Sequence, residues 1–133
     1  MEQFWITLLS IVAGAGGYVI VTFWVRPILR YKDIKYQIAS DLIFFANSIE
    51  LQKLDGSLRE DTLARKDANR RRAADLAAIY GDLPCWYRRW LQRRKEHPKH
   101  ASSELIGLSN ESDREEARAR IENVKERLRM SLE

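Results

Sequence analysis

Apolar positions follow two unlike patterns along this chain. From Phe4 to Val25 they run on for 22 residues without a charge, and from Tyr31 onward they return every three or four residues. At about 1.5 Å per residue, a helix over the first run reaches roughly 30 Å, the thickness of a bilayer's hydrocarbon core. Phe4-Trp5 and Phe23-Trp24 stand at its ends, where aromatic side chains mark the two membrane interfaces. A secretory leader carries a basic start, a shorter apolar stretch and a small-residue cleavage site. This chain begins Met1-Glu2-Gln3, and its strong charges come after the run. A helix lying in the interface keeps one polar face, and this segment has none. The run therefore predicts a transmembrane helix at 1–27 and a separate helical domain at 28–133.

The second pattern predicts that domain to be all-α. Tyr31, Ile34, Ile38, Leu42, Phe45 and Ile49 form an amphipathic stripe of about five turns. Leu42 to Phe45 is apolar all round, which predicts a central helix. Pro27 predicts a kink or restart, because proline lacks an N–H and biases Arg26 away from helical geometry. Asp55-Gly56 reads as a break, and Ser57-Leu58-Arg59-Glu60 as a capping box opening a helix that ends at Gly81. Leu63, Ala73, Leu76, Ala77 and Tyr80 are its expected inward residues. Shorter helices are expected from Cys85 to Glu96 and from Pro98 to about Asn110. A last one is capped by Ser112-Asp113-Arg114-Glu115 and packs Ala117, Ile121, Val124 and Leu128. No strand pattern competes, so the expectation is a small antiparallel helical domain hung from one span.

Charge orients this arrangement. Arg26, Arg30, Lys32 and Lys35 follow the run against a single Asp33, whereas Glu2 is the only side-chain charge before it. Lysine and arginine collect on the cytoplasmic side, so the N-terminus is expected outside and residues 28–133 in the cytosol, with the span in the cell inner membrane. The single cysteine, Cys85, fits a reducing compartment.

Within the span, Thr7, Ser10, Gly14 and Gly17 recur at intervals of three and four, with Ala13 beside them. In lipid, helices associate by close backbone approach, which a small-residue seam permits. These five residues are the expected homo-oligomer interface. Tyr18, near mid-depth, is expected to want a polar partner on a neighbouring helix.

Chemistry is concentrated in Arg88, Arg89, Arg93, Arg94, Lys95, His97, Lys99 and His100, interleaved with Trp86, Tyr87 and Trp90. Three readings stand open. The aromatics can be core residues with arginines on the solvated side. Alternatively, Trp86, Arg88, Arg89, Trp90, Lys95 and Lys99 can bind phosphates of lipid headgroups or RNA, with Arg70-Arg71-Arg72 adding charge. In the third, Arg93, Arg94, His97 and His100 form a nuclease site. Gly-rich phosphate loops, zinc spacing and inward carboxylate pairs are missing, so no cofactor or metal is expected.

The third reading rests on a resemblance. Arg93 to His100 is R-x6-H and Arg94 to His100 is R-x5-H, similar to the R-x4-6-H motif of the HEPN helical superfamily. That resemblance implies a metal-independent ribonuclease, with arginine and histidine paired across a dimer. One N-terminal span before such a domain also resembles the membrane accessory proteins of type VI-B CRISPR systems, which implies membrane pores and antiphage defence. The segment Ala101-Ser102-Ser103-Glu104-Leu105-Ile106-Gly107-Leu108-Ser109-Asn110 looks like a family signature or, more simply, a helix and its cap. The expected partners are the bilayer, further copies of the chain, and RNA or a cytosolic protein of a defence system.

Overall fold

The computed structural model describes the backbone of residues 1–51 and 59–130 and the side chains of 1–47 and 63–130. Helix α1 spans Glu2–Ile20, a π-helical turn covers Val21–Val25, and α2 continues over Arg26–Leu51. They form one unbroken rod, apolar and long enough at its N-terminal end to cross a membrane. No residue of α1 is buried.

Pro27 neither breaks nor restarts this helix. In regular α geometry a proline withholds the hydrogen bond to the carbonyl four residues back and crowds it. Here the turn just before it is widened, and the Arg26 N–H reaches the Val21 carbonyl five residues back. A π turn is a recognised way for a helix to absorb such an insult without ending. The run and the first domain helix are thereby joined as one lever.

Helices α3 (Arg59–Asp82), α4 (Cys85–Arg93), α5 (Pro98–Asn110) and α6 (Arg114–Leu128) follow. Among the described residues no strand is present, and the all-α expectation holds. α2, α3, α5 and α6 each pack on two of the others and close a ring. Adjacent members are antiparallel. Ser102 donates to the Ala73 carbonyl (2.9 Å) while Arg70 reaches Asn110 (2.9 Å), so α5 climbs as α3 descends. His97 N–H donates to the Arg127 carbonyl (2.8 Å) while Arg120 meets Glu104 (3.2 Å), which reverses α6 against α5. The result is a four-helix antiparallel bundle with α4 as a short insert.

Tyr31, Ile34, Ile38 and Leu42 of α2, Leu91 of α4, Leu105 and Leu108 of α5, and all four expected residues of α6 enter one core. The α6 cap also forms: Asp113 accepts from the Glu115 N–H at 2.9 Å. Two expectations fail. Ile43 and Phe44 are largely exposed, so the all-apolar turn at 42–45 does not centre α2. On α3, Leu63 and Ala77 face outward, and the buried line is Asn69, Ala73, Leu76 and Ile79, continued by Leu83 just past the helix end. Ala73 and Leu76 are buried as expected and Tyr80 packs half-buried against the core, while Ile79 rather than Ala77 completes the line. The break at Asp55-Gly56 and the Ser57 cap lie outside the described residues, as does the side chain of Ile49.

Candidate functional site

α4 positions the basic-aromatic cluster. Buried Leu83 and the Pro84 N-cap turn the chain at the foot of α3, and α4 then buries Tyr87 and Leu91 one turn apart. Trp86 and Trp90 stay about half exposed, so only Tyr87 of the three aromatics is a core residue. Trp86 meets Trp24 edge-on at 6.5 Å, and Tyr87 meets Tyr31 at 6.3 Å. α4 therefore starts beside the end of the apolar run and climbs along α2 away from it. Trp90 is engaged twice over: Tyr87 stacks on it at 5.1 Å, and the Arg94 guanidinium lies 4.6 Å from its ring centre.

The helix ends in a sharp turn. The Lys95 N–H donates to Gln92 and the Glu96 N–H to Leu91, with Lys95 in the left-handed region at φ 58°. This paired closure is the Schellman arrangement, here made without the usual glycine. Lys95 is thus an exposed turn residue, and its neighbour Glu96 is thrown inward to 4% exposure. There the Glu96 carboxylate accepts from the Tyr31 hydroxyl at 2.5 Å and the Lys35 ammonium at 2.9 Å. Burial first, and then the bond to Glu96, push the Tyr31 phenol far above its ordinary range, so it remains a donor. Burial also raises the Tyr87 phenol.

The expected site residues scatter more than their sequence spacing implies. His97 and His100 come together, ring centres 5.8 Å apart and nearly perpendicular. Neither Arg93 nor Arg94 is hydrogen-bonded to either histidine among the described residues. The Arg94 guanidinium lies over the Trp90 ring, and the Arg94 carbonyl accepts from Arg129 at 2.8 Å. Arg88 donates to the Cys85 sulfur at 3.2 Å, and Arg89, Arg93 and Lys99 are exposed. The Arg70-Arg71-Arg72 run does not join this surface. Arg72 is held by Asp41 and Gln37, Arg71 by Asp67, and Arg70 by Asn110.

Where α4, α2 and the end of α6 converge lies an open cleft of about 350 Å³. Lys32, Lys35, Arg94 and Arg129 line it, with Glu96 in its floor. Reasoning from spacing missed Glu96, Tyr31 and Arg129. One signal was available: Glu96 is the only acid between Arg88 and Lys99, and a lone acid in a cationic run calls for a specific partner.

The segment from Ala101 to Asn110 has a packing role. Ala101, Ser102, Leu105, Leu108 and Ser109 are buried, and Gly107 leaves room for the Arg120 guanidinium to lie across the helix. On α1, the Thr7 and Ser10 hydroxyls donate to their own helix, at the Gln3 and Ile6 carbonyls (2.9 Å each). Gly14, Gly16 and Gly17 face open space. Set against known protein families, curated proteins and solved structures, the chain finds no match.

Proposed function

We propose that this chain is a single-span inner-membrane protein, N-terminus outside, that self-associates through Thr7, Ser10, Ala13, Gly14 and Gly17. It acts on the bilayer as a pore-like or depolarising effector, with antiphage defence as the setting the family resemblance suggests. The observation that carries this reading is the uncovered small-residue face of α1. Its hydroxyls are satisfied within the helix, its glycines meet nothing, and among the described residues no element packs on it. In lipid such a face gains most by meeting its own copy. The unbroken rod through Pro27 supports the rest, because any tilt of the bundle is passed directly to the span.

A tethered HEPN-type ribonuclease is the second reading, favoured by the approach of His97 to His100. There a histidine moves protons at the 2′-hydroxyl while arginine stabilises phosphate charge. One experiment separates the two. Gly14→Ile with Gly17→Ile reduces the oligomer to smaller species in detergent and stops membrane depolarisation in cells. His97→Ala with His100→Ala leaves both unchanged. The reverse pattern, together with lost RNA cleavage, overturns the effector reading.

A further inference from the structure

The cleft beside α4 has features the effector reading does not use. Four cations, Lys32, Lys35, Arg94 and Arg129, border it against one carboxylate, Glu96. That carboxylate is committed to Tyr31 and Lys35, so Lys35 neutralises it and the rim keeps a surplus of positive charge. Lys32 is exposed and has no ion pair among the described residues. The Arg94 and Arg129 side chains are also exposed, and their contacts here are a ring face and a backbone carbonyl rather than acids. The volume falls within the range of small-ligand sites.

We propose that this cleft binds a phosphate group, held by Lys32, Arg94 and Arg129. A nucleobase is not what the aromatic wall is built for, since Trp90 already stacks with Tyr87 and Arg94. The location suggests a source. Lys32 stands seven residues beyond Val25, about 10 Å of helix past the last apolar residue of the run. Headgroups extend roughly 5–8 Å past the hydrocarbon, and lysine and arginine side chains reach back toward them. An anionic lipid headgroup and a free phosphate share the chemistry, and basic pockets beside membrane helices take such headgroups. The lipid source rests on the transmembrane reading, whereas the cleft itself does not.

The test uses the full chain in phosphatidylcholine nanodiscs. In one arm, the discs are doped with phosphatidylglycerol, and native mass spectrometry counts the molecules of it retained per chain. In the other, calorimetry follows inorganic phosphate. The comparison variant is Lys32→Gln with Arg129→Gln, which should weaken binding about thirtyfold, roughly fivefold for each cation. If that pair lowers the melting temperature, Lys32→Gln alone serves, having no partner to lose. Phosphatidylglycerol retained by the wild type and lost by the variant supports a lipid-headgroup site. Phosphate heats that vanish in the variant support a soluble ligand. No binding in either arm overturns the site. So does equal weakening by Arg26→Gln with Arg30→Gln, which marks general attraction to the surface. Release of the chain by alkaline carbonate sinks the membrane reading and the lipid arm alone, leaving the phosphate arm to decide the cleft.

Discussion

α1 and α5 are both rich in small residues, yet they use them in opposite ways. On α5, Ala101 and Ser109 are fully buried, and the Ser102 hydroxyl crosses to a carbonyl of α3. Gly107 is covered by Arg120. On α1 the hydroxyls turn back onto their own helix, and the glycines face nothing. Small residues permit close approach in either case. What differs is the cover: α3 and α6 pack on α5, whereas no residue of α1 is buried by the described part of the chain.

The sharpest way to break that contrast is to remove apolar volume from each helix. Leu105 is 1% exposed, and Leu105→Ala should cost the bundle about 2–5 kcal/mol through lost burial and a residual cavity. Leu9 is 72% exposed, and Leu9→Ala should leave the bundle's stability unchanged. Denaturant unfolding in detergent micelles, followed by near-ultraviolet dichroism of the Tyr87–Trp90 stack, measures both. Destabilisation by Leu9→Ala would mean that α1 packs against the bundle after all.

Much of this contrast is legible in the sequence, because periodicity reports burial directly. The α2 and α6 stripes are stated by residues three and four apart, and the α6 cap by the Ser112-Asp113-Arg114-Glu115 run that precedes its stripe. Three features are not legible, each for a physical reason. Pro27 reads as a kink or restart, since its effect depends on whether the preceding turn can widen. The phase of α3 is blurred by three consecutive arginines and several alanines, which carry little information about which side is inward. The candidate site is least legible. Its geometry depends on a left-handed Lys95 that swings Glu96 inward, and lysine is not a residue that announces that conformation.

A smaller effect sharpens the comparison at the level of single hydroxyls. Ser102→Ala removes a bond between helices from a buried site and should cost about 1 kcal/mol. Ser10→Ala removes a bond that returns to its own helix, so the bundle should melt as before. If both variants melt alike, the hydroxyl on α5 is no more structural than the one on α1.

The smallest effect is the most discriminating, because two terms nearly cancel. At Gly107 an added Cβ meets the Arg120 guanidinium closely, so that group must move. It is the far end of a flexible side chain, 36% exposed and bridged to Glu104 and Glu111 at 3.2 and 3.5 Å. Bridges of that exposure are worth about 1 kcal/mol or less. Replacing a mid-helix glycine with alanine returns about 0.8–1 kcal/mol of helix propensity. Gly107→Ala should therefore change stability by less than about 0.5 kcal/mol, while weakening the ion pairs and so reducing the salt dependence of melting. Gly16→Ala has no such opponent within the chain. A Gly107→Ala variant that loses several kcal/mol would show that the backbone of α6, rather than the tip of Arg120, sets the approach of these two helices.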